Sequence, residues 1–138
     1  MTYIISEIGI NHNGDIELAK ELILKSKKSG CDAVKFQKRD IESVYTKEEL
    51  DTPRESPFGT TTREQKDGIE FSIEQYKELE KFSKEQGLEF IVSCWDTVSL
   101  DLVEEHLDVK YHKVASALAT DKTFLQKLND TKKPIILS

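Results

Sequence analysis

YIISEIGINHNGD, residues Tyr3 to Asp15, begins as an apolar strand and turns polar at its end. An acid, Glu7, stands inside the apolar run, and Asn11, His12, Asn13 and Gly14 follow it. Side chains alternate along a strand, so Ile5, Glu7 and Gly9 share one face while Ile4 and Ile8 share the other. The same split recurs downstream. In DAVKFQ, Asp32 to Gln37, Ala33, Lys35 and Gln37 oppose Val34 and Phe36. In KYHKVAS, Lys110 to Ser116, Tyr111, Lys113 and Ala115 oppose His112, Val114 and Ser116. One face of each strand is apolar and suits packed helices. The other carries a long polar side chain toward its C-terminal end. An open sheet with helices on both sides calls for apolar runs on both faces. A (β/α)8 barrel instead gathers polar groups inside its C-terminal mouth. The polar residues therefore favour the barrel, with Glu7 pointing inward and INHNG as the first loop over the mouth.

The rest of the chain alternates strands and helices. Asp15 predicts an N-cap for a helix carrying Leu18, Ala19, Leu22 and Ile23, closed by Gly30. Ser72 with Gln75 forms a capping box ahead of Ile73, Tyr76, Leu79 and Phe82, and Gly87 ends that helix. LEFIVSCW is the third strand, KYHKVAS the fourth and KPIILS the fifth. Short helices lie around Val98–His106 and Asp121–Leu128. A polar stretch from about Lys38 to Glu70 reads as a long functional connection. Repeated strand–helix–strand order implies parallel strands with helical crossovers. The dinucleotide fingerprint G-x-G-x-x-G is absent, since GINHNG does not match its spacing. The fold class is thus α/β, a partial (β/α)8 TIM barrel of about four βα units plus a fifth strand.

Composition narrows the function. The 138 residues are 37% hydrophobic and 33% charged, with a net charge of −6. Both signs are interspersed, which argues against a nucleic-acid surface. No apolar run reaches the length of a membrane span, and no secretory signal is visible. Two cysteines, Cys31 and Cys94, are too few for a disulfide framework or a zinc cage and read as free thiols of a cytoplasmic protein.

Lys35, Lys113 and Glu7 on inner faces leave one positive charge in excess. Any one of them alone reads equally well as half of an internal ion pair that fixes register. Together with Gln37 they are harder to explain that way, because burying unpaired ions costs several kcal/mol or more. An anionic ligand, phosphate or carboxylate, accounts for the surplus. Ser93, Ser116 and Ser138 at strand ends are candidate donors to the same anion. His12 has no second His or Cys at ligand spacing, so it reads as a residue that orders its loop.

YIISEIGINHNGD, GCDAVKFQKRD, KVAS and KPIILS resemble the N-terminal half of the N-acetylneuraminate (sialic acid) synthase family. The resemblance runs along essentially the whole chain and implies a (β/α)8 barrel followed by a small antifreeze-like domain in a domain-swapped homodimer. It implies condensation of phosphoenolpyruvate with an N-acylated mannosamine-type sugar, with loss of phosphate. A divalent metal, manganese or magnesium, is implied as the Lewis acid on the sugar aldehyde, with ligands outside these 138 residues. Glu7 matches the glutamate at the reacting sugar. Lys35 and Lys113 match lysines that hold phosphoenolpyruvate, Ser116 and Ser138 match serines at its phosphate or carboxylate, and Gln37 matches a sugar contact.

Two departures stand out. Many members read Ser-Thr-Pro-Phe-Asp where this chain has SCWD, so Cys94 takes the place of a phosphate-binding threonine, or Ser93 takes over the contact. Thr60 stands where some members carry a sugar-binding asparagine. The expectation for residues 1–138 is the N-terminal part of a synthase barrel, inactive alone, with the C-terminal half and the antifreeze-like domain absent. Two alternatives stay open. One is another sugar-phosphate barrel enzyme, an isomerase or epimerase with Glu7 as base. The other is a non-catalytic half-barrel that docks to a partner.

Overall fold

A computed structural model describes residues 2–138. The chain runs through β1 (Ile5–Gly9), α1 (Ile16–Lys28) and β2 (Ala33–Lys38). Asp15 caps α1 by accepting from the backbone N–H groups of Glu17 and Leu18, as its position before the apolar stripe predicts. The expected polar connection is folded instead. It forms α2 (Ile41–Val44), α3 (Lys47–Leu50), an antiparallel hairpin of β3 (Pro53–Ser56) and β4 (Gly59–Thr61), and α4 (Thr62–Ile69). Two Thr-x-x-Glu capping boxes, Thr46 with Glu49 and Thr61 with Glu64, start α3 and α4. Ile41, Leu50 and Ile69 are the buried apolar anchors of this segment.

The second half is α5 (Ile73–Glu85), β5 (Glu89–Cys94), α6 (Thr97–His106), β6 (His112–Val114), α7 (Lys122–Asp130) and β7 (Ile135–Leu137). The capping box of Ser72 and Gln75 starts α5. A 3-10 turn, Ser116–Leu118, follows β6. No helix among the described residues is long and apolar enough to cross a membrane.

Five strands form one sheet in the order β1-β2-β5-β6-β7, and every pairing is parallel. Each strand is therefore added beside the one before it, always on the same side, with β1 and β7 at the two edges. Val34, Phe36, Phe90, Val92 and Val114 point to one face and share a single apolar cluster with Ala19 and Ile23 of α1 and Tyr76 and Leu79 of α5. Leu100 and Val103 of α6, and Phe124 and Leu128 of α7, complete it. The helices α1, α5, α6 and α7 pack side by side in that order. Burying a large apolar side chain of this kind contributes about 1.5–3 kcal/mol, so this interface dominates the stability. The opposite face is excluded from the cluster and carries the polar residues.

Glycine closes the first loop onto the inserted segment. Gly14 has φ +75°, and a Cβ there would lie 1.9 Å from the Gly68 carbonyl oxygen of α4. His12 in the same loop is 1% exposed and stacks on Phe71 with ring centres 4.1 Å apart. Its Nδ1 accepts from the Gly14 N–H at 3.1 Å. Burial holds its pKa down at about 4, against the opposing pull of a hydrogen bond with the Gly9 backbone. It is neutral at pH 7 and orders the loop.

Candidate active site

The register of the sheet places the polar side chains in two rungs. Glu7 of β1 lies beside Lys35 of β2, and Lys35 beside Ile91 of β5. One rung further on, Gln37 lies beside Ser93. The pairing of Val92 with His112 puts Ser93 next to Lys113, and Lys113 pairs with Ile136 of β7. All of these side chains project from the face away from the helices, because they alternate with the apolar-cluster residues.

Lys35 is 3% exposed, and its Nζ lies 2.7 Å from Glu7 Oε2. The Glu7 side chain is 62% exposed, so water reaches the carboxylate but not the ammonium. Lys113 is half-buried. Its Nζ donates to Ser138 Oγ at 2.5 Å and to the Val114 carbonyl at 3.0 Å. Burial lowers its pKa below the ordinary 10.5, the positive charge of Lys35 lowers it further, and Glu7 pulls the other way. The three charges therefore feel one another. They sum to one positive charge, which a bound anion would neutralise at less cost than solvent exclusion alone imposes.

The remaining sequence-predicted residues divide. Ser138 is in contact with Lys113, and Ser93 donates from Oγ to the Lys113 carbonyl at 3.1 Å. Ser116 is exposed and opens the 3-10 turn just past β6. Thr60 is exposed on β4, its N–H donating to Glu64 Oε2 at 2.8 Å. Cys94 does not belong to the polar face. It is 2% exposed inside the apolar cluster, and burial pushes its thiol well up. The period of two explains this correction: Cys94 falls in step with Phe90 and Val92, so Ser93 occupies the inner position.

Three further residues form a cluster that reaches Gln37 through Arg39. The Arg39 Nη2 donates to Gln37 Oε1 at 2.7 Å. Its Cζ lies 4.2 Å from the centre of the Trp95 ring, and Nη1 lies 3.7 Å from Glu70 Oε1. Glu70 Oε2 accepts from the Arg39 backbone N–H at 3.2 Å and lies 3.7 Å from Lys38 Nζ. Burial raises the Glu70 carboxyl despite these cationic neighbours. The adjacency of KFQ and Arg39 was readable from the chain; the approach of Glu70 and Trp95 was not.

No group of three or more His, Cys, Asp or Glu side chains suited to a metal ion occurs among the described residues. Glu7, the acid of the polar face, is engaged by Lys35. The described residues thus do not fit the divalent metal as a complete ligand set. The clefts of about 580, 470 and 500 Å³ also lie away from Lys35 and Lys113. The first is at the N-terminal ends of the strands, around Tyr3 and Lys110, where ion pairs such as Lys110–Glu89 at 2.6 Å already match the charges.

Known proteins resemble this chain along nearly its whole length. N-acetylneuraminate-9-phosphate synthase of Mus musculus is 37% identical over 138 residues, covering 99% of this chain and 38% of that protein. N,N'-diacetyllegionaminic acid synthase of Legionella pneumophila is 36% identical over 139 residues, covering 99% of this chain and 39% of that protein. The chain thus spans about two-fifths of the length of these curated relatives. The solved structure of N-acetylneuraminic acid (sialic acid) synthetase from Leptospira borgpetersenii superposes with a TM-score of 0.82 at 24% identity, over 98% of this chain and 43% of that one. The NeuB family model matches residues 22–138. With that match over most of its length, this chain belongs to the NeuB family.

Proposed function

We propose that residues 1–138 form the first part of a (β/α)8 barrel in a synthase that joins phosphoenolpyruvate to an N-acylmannosamine-type sugar and releases phosphate. The observation that carries this reading is the surplus positive charge on the polar face, where Lys35 is buried against Glu7 and Lys113 is depressed beside them. The relatives are named as synthases of N-acetylneuraminate 9-phosphate and of diacetyllegionaminic acid. Strand order with a single layer of helices is also what the first five strands of such a barrel require.

In this reading Lys35 and Lys113 bind the phosphate and carboxylate of phosphoenolpyruvate. Each charge-assisted hydrogen bond of this kind is worth about 1.5–3 kcal/mol. Ser138 orients the Lys113 ammonium and Ser93 holds the strand beneath it; Ser116 lies close enough in sequence to meet the anion from the 3-10 turn. Glu7, exposed enough to meet substrate yet fixed by Lys35, exchanges or holds a proton at the sugar aldehyde. Gln37 contacts the sugar. A divalent metal would supply Lewis-acid polarisation of the aldehyde, and the described residues provide no complete ligand set for it. The full enzyme would be a homodimer. A cytoplasmic setting suits Cys31 and Cys94, both free thiols.

The test is phosphate release by the full-length protein. Release from phosphoenolpyruvate that depends on an added N-acyl sugar, and falls at least 100-fold in Lys113→Met, is the expected result. Release that ignores the sugar, or survives Lys113→Met unchanged, would refute the assignment.

A further inference from the structure

We infer that Arg39 is a positioning residue that turns the Gln37 amide so that its N–H2 group, not its oxygen, faces the sugar. This rests on the reading of Gln37 as a sugar contact and goes beyond it by stating which end of the amide does the recognising and what holds it there. A guanidinium has donors and no acceptor. The Gln37 group that meets Arg39 Nη2 at 2.7 Å must therefore be the oxygen. Nε2 is then the free end. It lies over the C-terminal end of β1, where a Cβ on Gly9 would sit 3.4 Å from it. Gly9, at φ +59°, has no side chain to cover this donor.

Arg39 is itself immobilised. Its side chain is 11% exposed, lies over the Trp95 ring and is flanked by Glu70, whose other oxygen accepts from the Arg39 backbone. A planar guanidinium held on both an aromatic face and a carboxylate cannot swing away, whereas a lysine ammonium at this point would lose the stacking. Without Arg39 nothing holds the amide in this orientation, and its hydrogen bond to the sugar is lost. The part of the sugar that meets Gln37 is consequently an acceptor, a hydroxyl oxygen or the acyl carbonyl. A ligand offering only a donor there is rejected.

The experiment is a double-mutant cycle in the full-length protein, with Arg39→Met, Gln37→Ala and the double variant. Phosphate release is followed while phosphoenolpyruvate and N-acetylmannosamine are varied separately. Arg39→Met is expected to raise the KM for the sugar about 5- to 10-fold, the loss of one neutral hydrogen bond. It should change the KM for phosphoenolpyruvate less than twofold. The double variant should be no worse than Gln37→Ala alone. If both single effects multiply in the double variant, or if Arg39→Met affects both substrates alike, Arg39 does not act through Gln37 and the inference fails by itself. If Gln37→Ala leaves both KM values unchanged, the sugar contact fails and takes the inference with it. Gln37→Glu covers the case in which Arg39→Met does not fold, because it keeps the pairing with Arg39 and replaces only the donor. It should match Gln37→Ala in sugar KM; a value equal to the unmodified protein would overturn the proposal.

Discussion

Replacing Lys35 by methionine separates charge kept for ligand binding from charge kept for stability. Lys35 is 3% exposed and its carboxylate partner is Glu7 at 2.7 Å. Removing one member of a buried pair costs about 3–5 kcal/mol when the other charge is left stranded in the interior. Here the member left behind is Glu7, whose side chain is 62% exposed and is rehydrated at once. The lysine carries the desolvation penalty, so removing it eliminates an unfavourable term. Methionine has a similar length and fills the same space beside Ile91. The expected change in unfolding free energy is between zero and about 2 kcal/mol of stabilisation, read from urea denaturation. Affinity for phosphoenolpyruvate should fall by about 10- to 150-fold, the equivalent of one charge-assisted hydrogen bond. Calorimetric titration of the full-length protein measures it. A Lys35→Met protein destabilised by more than about 2 kcal/mol with unchanged affinity would refute the reasoning, because Lys35 would then be a structural ion-pair residue.

Other expectations follow from the same geometry. Lys113 has a pKa lowered first by burial and then by Lys35, so its ammonium is lost at a lower pH than an ordinary lysine loses its own. Affinity for phosphoenolpyruvate should weaken as pH rises through that lowered value, and Lys113→Arg should flatten the dependence; an unchanged profile in that variant would exclude Lys113 as its source. His12 is neutral in the fold down to about pH 4, whereas the unfolded chain takes up its proton from about pH 6.5. Stability is therefore lost as pH falls from about 6.5 to 4, by about 3 kcal/mol at most. Urea titrations of His12→Asn should show a shallower acid loss over that range. Cys94→Ala should cost about 1–2 kcal/mol of stability from lost packing and leave the KM for phosphoenolpyruvate within twofold; a tenfold change would return Cys94 to the substrate face.

Much of the site was readable from alternation alone. Glu7, Lys35 and Lys113 do share one face of the sheet, and their charges are coupled. Asp15 and the Ser72–Gln75 pair cap their helices because capping is a local interaction between residues two or three apart. The segment after Lys38 is folded where its polarity suggests a connection, although its capping signals, Thr46 with Glu49 and Thr61 with Glu64, are as local as the others. Short helices carry weak periodicity, so the caps had to be read without an apolar stripe to support them. Cys94 faces the helices because the strand's period of two, not its place at the end of a motif, sets its side.

The amino-acid sequence by itself determined which residues turn away from the helices, because a strand's period of two and a helix's caps are set within a few bonds. Only the tertiary structure decided that Glu70 and Trp95 clamp Arg39 against Gln37, that Gly14 closes on Gly68, and that Lys113 feels Lys35. Those contacts join residues brought together by parallel crossovers. Their geometry depends on register and packing across strands, which no local rule along the chain encodes.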